Sequence, residues 1–170
     1  MIQVFFTEDI LKLHFLIIIF LIFLISCNSN EDNYSKLPIK ITSITYEMGC
    51  ENCGMNLKKF ISTNHAIKMK NGNSHFYCSI NCSTIGLDEF KDKTDAVYAV
   101  DYNSTKFVNA ETAHYVIGSS LKGTMTRVSK FTFENLDDAE EFSKTFNGKE
   151  IVNYERAVAM SKKEIEGRKK

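Results

Sequence analysis

Two pairs of cysteines are the residues whose type and spacing could support chemistry in this chain. Cys50 and Cys53 lie in the stretch GCENCGM, and Cys78 and Cys82 follow about two dozen residues later. The pattern C-x2-C, gap, C-x3-C is typical of a four-thiolate metal site. An even number of cysteines outside the cytoplasm also favours disulfides. The spacing leaves both interpretations open.

Methionines near these cysteines change the metal that such a site would prefer. Met55 follows Cys53 with only Gly54 between them, and glycine lets the backbone turn both side chains toward one point. A thiolate with a thioether is a soft ligand set, which favours Cu(I), whereas zinc has little use for a thioether. Met125 lies among polar neighbours, which is unusual for a methionine that fills a core. We therefore predict a Cu(I) site, with zinc as the alternative, and six candidate sulfur ligands: Cys50, Cys53, Met55, Cys78, Cys82 and Met125.

Catalysis and nucleic-acid binding are not predicted. The four histidines have no motif spacing relative to the cysteines, and glycine-rich phosphate loops are absent from the sequence. A thioredoxin-like enzyme places a cis-proline beside its C-x-x-C motif from later in the chain, but the single proline, Pro38, precedes the motif. Lys and Arg total 21, as do Asp and Glu, so no basic excess points to nucleic acid.

The N-terminal segment reads as a lipoprotein leader. Residues 15–25 form an apolar run of signal-peptide length, with Lys12 before it, and the run ends in LISC. That tetrapeptide is similar to a bacterial lipobox, which implies cleavage before Cys27 and lipidation of its sulfur. We predict a signal peptide over residues 1–26 and a polar, lipid-tethered linker over residues 27–37, with an uncleaved anchor helix as the alternative. The chain would then lie in the cell envelope, facing the periplasm or the exterior.

The pattern of the remaining chain predicts strands and helices in a repeating order. In the first part we expect a strand over residues 39–46, a hairpin around Asn71-Gly72, and a helix in SINCSTIGLDEF that is capped by Ser79 or Asn81. In the second part we expect a hairpin over 96–110, an extended segment over 114–117, a strand over 127–133, a helix over 136–146, a strand over 150–155 and a helix over 157–170.

These elements predict an α+β protein built of two similar small β-β-α-β units behind the leader. The first unit would cover residues 38–95 and carry the CxxCGM motif, and the second would cover residues 96–170 and include the terminal helix. Both parts run from an aromatic strand into a helix, in HFYCSINCSTIGL and KFTFENLDDAEEF. The shared order suggests duplication.

Several blocks of this sequence resemble the NosL family of nitrous-oxide-reductase accessory lipoproteins. CENCGM is similar to the family's C-x-x-C-G-M motif, and VDYNSTKFVNAETAHYVIGSSLKGTM is similar to its second block. FTFENLDDAEEFSKTFNGKEI resembles its closing strand, helix and glycine turn. The resemblance extends from about residue 40 to about residue 152.

The resemblance implies an extracytoplasmic lipoprotein that binds copper and delivers Cu(I) toward the copper cluster of nitrous oxide reductase, an enzyme of denitrification. Cys53 and Met55 match the family's ligand positions, Met125 matches its turn methionine, and Cys50 matches the first cysteine of the motif. The implied partners are a copper enzyme or its assembly machinery, including a membrane transporter of the ABC type. The implied fold has two β-β-α-β halves.

The chain also departs from the family pattern. Thr124 stands where proline is expected, Thr126 where glycine is expected, and His114 where an aromatic residue is common. Cys78 and Cys82 are additional thiols, so the chain could carry copper or another soft metal to a different target. The alternative function is a zinc- or disulfide-stapled surface lipoprotein that acts as a protein-binding module.

Overall fold

The computed structural model describes residues 44–168. These residues lie within a compact unit that spans Leu37–Lys170. The predicted signal peptide, the tether, Cys27 and most of the strand predicted over residues 39–46 lie outside the described residues. From residue 44 to residue 168, no helix is both long and apolar enough to cross a membrane.

The described chain is a mixed α and β structure, as the sequence predicts, and it contains two antiparallel sheets and three α-helices. In chain order the elements are β1 (His65–Met69), β2 (Ser74–Tyr77), α1 (Ile80–Phe90), β3 (Thr94–Val100), β4 (Phe107–Asn109), β5 (His114–Ile117), β6 (Lys130–Phe133), α2 (Leu136–Thr145), β7 (Glu150–Val152) and α3 (Tyr154–Glu166).

The first sheet has the strand order β2-β1-β3-β4 and positions the cysteines. β1 and β2 form the predicted hairpin, whose turn contains Gly72 at a positive φ of 89°. β3 and β4 form the second predicted hairpin. β1 lies between β2 and β3, and its residues Ala66 and Ile67 are fully buried. β1 is therefore the central strand of the core. The thiol-bearing segments adjoin β2, the edge strand that pairs with this buried strand.

The second sheet has the strand order β6-β5-β7, with α2 packed on it. Phe131 and Phe133 of β6 contact Phe142 of α2 with ring centroids 5.2 and 4.9 Å apart. Asp101, which is buried after β3, accepts hydrogen bonds from the backbone N–H groups of Ser104 and Glu134. This carboxylate thus ties the end of β3 to the end of β6.

The order β-β-α-β occurs once in each sheet, and in each the first strand pairs with both others. The sequence placed the boundary between halves at residues 95 and 96, but this point falls inside β3. All of β3 belongs with the first sheet because it pairs with β1 from Met69 to His65. Whether the two units arose by duplication stays a prediction.

Three predicted boundaries differ from the structure for local reasons. Residues 44–46 are irregular, since the alternation of apolar residues changes phase at Ser43 and the chain turns at Tyr46. β6 begins at Lys130 rather than residue 127, because the Arg127 N–H donates to the Glu164 carboxylate instead of a strand. α3 begins at Tyr154, three residues early, because the Asn153 side chain caps it by accepting from the Arg156 N–H.

Candidate metal centre

The four cysteines of the described chain converge on one point. All four Sγ atoms lie within 4.8 Å of one another. The separations are 3.6 Å between Cys53 and Cys78, 3.7 Å between Cys78 and Cys82, and 3.8 Å between Cys82 and Cys53. All four are free thiols. The structure therefore presents a single four-thiol cluster, which we call the thiol site.

A tight turn presents the first two cysteines. The Cys50 N–H donates to the Met55 carbonyl at 2.8 Å, and the Gly54 N–H donates to the Cys50 carbonyl at 2.7 Å. Gly54 adopts a positive φ of 73°, which glycine reaches without steric cost. The turn buries Cys50, which is 3% exposed, and leaves Cys53 exposed to solvent.

Glu51 fastens this turn to β2, beside Cys78. Its N–H donates to the Phe76 carbonyl at 3.1 Å, and its carboxylate accepts from the Phe76 N–H at 2.9 Å. The other carboxylate oxygen pairs with His75. Since Cys78 is two residues beyond Phe76, this clamp brings the two halves of the thiol site together.

The start of α1 presents the other two cysteines. Cys78 precedes the helix and Cys82 lies in its first turn, and their sulfurs lie 3.7 Å apart. Ser79 is the N-cap, as predicted, and its hydroxyl accepts from the Cys82 N–H at 3.4 Å. The N-terminal end of a helix stabilises negative charge, so it offsets part of the cost of forming buried thiolates when a metal binds. Cys78 is 0% exposed and Cys82 is 2% exposed.

Hydrogen bonds within the cluster separate the acidities of the thiols. The S–H groups of Cys78 and Cys82 hydrogen-bond to Cys50 and lower its pKa. The same interaction raises the pKa of Cys82 to about 11, and the hydrogen bond to Cys50 together with burial raises the pKa of Cys78. One sulfur can therefore ionise while its neighbours keep their protons and solvate it. A thiophilic ion would displace those protons.

The spacing of the sulfurs fits a small thiophilic ion. A tetrahedron with corners about 2.3 Å from its centre, the usual Zn–S distance, has edges of about 3.8 Å. The separations among Cys53, Cys78 and Cys82, which are 3.6, 3.7 and 3.8 Å, are close to this length. A three-sulfur arrangement is equally accessible, because the centre of that triangle lies about 2.1 Å from each sulfur (3.7 Å divided by √3). The site thus accommodates either three or four thiolates around one ion.

Met55, one of the two predicted thioether ligands, lies at the end of the same turn as Cys53. It is half-buried and packs against the core cluster that contains Cys50, Cys78 and Cys82. Its carbonyl closes the turn. Its sulfur stays a predicted ligand.

Met125, the other predicted thioether ligand, lies on the loop between β5 and β6 and is 38% exposed. Its carbonyl accepts from the Asn81 side chain at 3.2 Å and from Arg168 at 2.9 Å, which places the loop beside the start of α1. Met125 has a positive φ of 52°, a conformation that costs energy for a side chain of this size. Its sulfur also stays a predicted ligand.

Thr124 explains one departure from the family pattern. Its hydroxyl lies 2.7 Å from the Thr63 hydroxyl, which in turn donates to the Cys78 carbonyl at 2.8 Å. Proline at this position could not make this contact. The loop that carries Met125 is therefore hydrogen-bonded to the thiol site through Thr63.

Sequence reasoning missed several residues that position the site. Glu51 and Asn52 lie between the cysteines of the first pair, and the Asn52 amide donates to the Cys82 sulfur at 3.4 Å. Their position inside the C-x-x-C motif was the available signal. Nothing in the sequence pointed to Arg168, because its contact with Met125 spans 43 residues.

Comparisons with known proteins agree with this fold. A family model described as NosL matches residues 40–159. A similar solved structure is the copper chaperone NosL from Shewanella denitrificans, which is 24% identical to this chain, with a TM-score of 0.54. The alignment covers 66% of this chain and 91% of that one, and the likeness shows a shared fold. A comparison with curated protein sequences found no significant match.

Proposed function

This chain belongs to the NosL family, and from that premise we propose that it is a membrane-tethered Cu(I) chaperone. It would bind copper outside the cytoplasm and deliver it for maturation of an extracytoplasmic copper enzyme. We predicted that the chain is not an enzyme, and its membership of this family agrees with that prediction. A similar solved protein is a copper chaperone by its title, which supports the proposal.

The observation that carries the proposal is the thiol site itself. Four sulfurs lie within 4.8 Å of one another, three of them buried and Cys53 exposed. Thiolate is the ligand type that Cu(I) prefers. A site with one exposed ligand remains open to a competing donor, which a carrier needs in order to release its metal.

Exchange through Cys53 follows from this arrangement. An incoming thiolate or thioether of a partner can approach the ion on the side of Cys53, form a bond to it, and displace Cys53 as the first ligand. The buried sulfurs of Cys78 and Cys82 would hold the ion until the partner has a second donor in place. Met55 and Met125 would supply thioethers, which bind Cu(I) without a charge.

A competition titration tests the proposal. The reduced chain is titrated with Cu(I) and, separately, with Zn(II) in the presence of a chromogenic chelator, and the loaded chain is then mixed with a thiol-bearing acceptor. We expect one Cu(I) per chain, a higher affinity for Cu(I) than for Zn(II), and transfer within minutes. Weaker binding of Cu(I) than of Zn(II), or no transfer, would contradict a copper carrier.

A structural zinc centre is the second candidate, because the separations among Cys53, Cys78 and Cys82 also fit the edges of a four-thiolate zinc site. In that case the chain would be a surface lipoprotein that binds another protein. Zinc would then stabilise the fold outright, and chelation would unfold the chain. The exposure of Cys53 supports the carrier, because a donor of a partner can reach that sulfur.

Lipid anchoring through Cys27 is part of the proposal and rests on the lipobox-like LISC. An anchor would raise the local concentration of the chain near membrane-bound partners. Cells that express the chain should incorporate labelled palmitate into it, and Cys27→Ser should abolish the label. Equal labelling of both proteins would refute lipidation at this residue.

The proposed recipient is nitrous oxide reductase, reached through assembly machinery that includes an ABC-type membrane transporter. Family membership supports this choice. Deletion of the gene should lower the copper content of the reductase while its polypeptide is still made. A fully metallated reductase in the deletion strain would exclude it as the recipient.

The matching element order of the two sheets supports a further proposal, that the chain arose from two β-β-α-β units. In that origin the Met125 loop, between β5 and β6, would correspond to the turn between β1 and β2, and the thiol turn before β1 would belong to the first unit alone. An alignment of many homologues that shows no similarity between the two units would count against duplication.

A further inference from the structure

A second concave surface lies on the side of the molecule where the Met125 loop meets α3. It is bounded by residues 127–130 and residues 156–164 and has a cavity volume of about 450 Å³. We call it the basic groove. The thiol site uses none of its side chains.

The rim of the groove is cationic. Arg127, Arg156 and Lys163 are exposed there, and within residues 44–168 none of the three forms an ion pair. Lys130 is also in the wall, but its charge is matched by Glu164 at 2.9 Å. The lining therefore carries an excess of three positive charges that no described residue balances.

The floor of the groove is apolar. Val128 is 39% exposed, Ala159 is exposed and Met160 is half-buried. An apolar floor inside a cationic rim fits an apolar side chain flanked by carboxylates. A membrane surface would instead require apolar groups that protrude, because a bilayer cannot enter a concave site.

The groove is coupled to the Met125 loop through two side chains. Glu164 accepts from the Arg127 N–H and from Arg168, and Arg168 also donates to the Met125 carbonyl at 2.9 Å. The same carbonyl accepts from Asn81, the neighbour of Cys82. A protein seated in the groove would thus lie against the loop that borders the thiol site.

We infer that the basic groove is a docking site for an acidic segment of a partner protein, with one or two apolar residues among several carboxylates. That the partner exchanges metal rests on the proposed function, whereas the docking itself does not. Such a contact would be transient, since a small groove with a charged rim gives modest affinity and fast, salt-sensitive association.

A labelled peptide tests the inference. The probe is a fluorescein-labelled hexapeptide, DELFDE, and its binding to the reduced, metal-free full chain is followed by fluorescence anisotropy. We expect saturable binding that falls with added salt and weakens at least tenfold in the Arg156→Glu, Lys163→Glu double variant. A DEGGDE peptide, which lacks the apolar pair, should bind at least fivefold more weakly than DELFDE.

The control is the Lys70→Glu, Lys93→Glu variant, which makes the same change in charge at two exposed lysines outside the groove. It should keep wild-type binding. Equal loss in both variants would overturn the inference, because the attraction would then be a general effect of charge. Absence of saturable binding would also overturn it, as would groove-dependent capture of phosphatidylglycerol vesicles in place of the peptide.

Copper titration separates this inference from the proposed function. The groove variant should bind Cu(I) as the wild type does, because none of its altered residues reaches the thiol site. If the chain binds the probe in the groove but fails to bind Cu(I), the docking site stands and the copper proposal fails. If the chain binds Cu(I) but does not bind the probe, the copper proposal stands and the docking site fails.

Discussion

At the residue scale, Cys53 differs from the other three thiols in its exposure. Cys50, Cys78 and Cys82 are at most 3% exposed, so solvent and partners reach the cluster through Cys53. The spacing of the cysteines was compatible with one four-thiolate site or with disulfides, and the structure brings all four sulfurs within 4.8 Å of one another. The division into one exposed and three buried sulfurs depends on how the turn packs against α1, which spacing does not encode.

We expect the two predicted thioether ligands, Met55 and Met125, to decide which metal the site prefers. Met55→Leu together with Met125→Leu should weaken Cu(I) binding about tenfold or more and leave Zn(II) binding unchanged, because zinc does not use thioether ligands. Competition titrations with both metals measure this. Met48→Leu with Met69→Leu is the matched control, since Met69 is buried in the core and Met48 packs against it. Unaltered Cu(I) affinity in the first variant would exclude the methionines as ligands.

His65 gives the fold a specific dependence on pH. Burial lowers its pKa to about 4, and its Nδ1 lies 3.0 Å from the Thr63 carbonyl, so the folded state holds the neutral ring. Its contribution to stability is complete above pH 6.5, the usual histidine value, and is lost as the pH falls through 4. The loss should reach about 3 kcal/mol.

Urea unfolding of the reduced, metal-free chain between pH 4 and pH 7 measures this effect. In His65→Gln the free energy of unfolding should fall less steeply over the same range, because the titrating group is gone. The two proteins are compared by slope, since the substitution also changes packing. Parallel slopes would show that the buried ring does not control acid stability.

At the element scale, the first turn of α1 serves both stability and metal binding. Ser79 caps the helix by accepting from the Cys82 N–H, so one hydroxyl holds a helix end and a candidate ligand. Ser79→Ala should lower the free energy of unfolding of the metal-free chain by about 1 kcal/mol. It should also weaken metal binding severalfold, as Cys82 loses its fixed position.

Asn153→Ala provides the matched control for this prediction. Asn153 caps α3 by accepting from the Arg156 N–H at 3.0 Å, away from the thiol site. Its loss should cost about the same stability and leave metal affinity unchanged. Thermal unfolding and Cu(I) titration of both variants make the comparison. Equal metal affinity in the two would show that the cap of α1 does not position Cys82.

Local signals in the sequence predicted the helices and hairpins well. Contacts between residues far apart in the sequence were not predicted. Asn71-Gly72 indicated the first hairpin and Ser79 the start of α1, because turns and caps depend on neighbouring residues. The membership of β3 in the first sheet depends on pairing with β1, some 30 residues earlier in the chain, and was placed partly in the wrong half. The hydrogen bond between Glu51 and Phe76 of β2 was not predicted either, because the two residues lie 25 positions apart.

At the scale of the whole molecule, the two sheets contribute different parts of one surface. The turn clamped to β2 and the start of α1 hold the four thiols, and the loop of the second sheet carries Met125. Hydrogen bonds from Thr63, Asn81 and Arg168 fix that loop in place. The basic groove continues from its far side along α3. We therefore expect binding of metal and docking of a partner to occur on adjoining parts of the protein.

X-ray absorption at the copper edge of the anaerobically Cu(I)-loaded full chain tests the metal assignment most directly. We predict a first coordination shell of three or four sulfur atoms around a single copper ion, with no nitrogen or oxygen. Cys78→Ser should reduce the number of sulfur neighbours, because that sulfur lies within 3.7 Å of both Cys53 and Cys82. A shell dominated by nitrogen or oxygen, or one unchanged in the variant, would contradict a copper site built from these thiols.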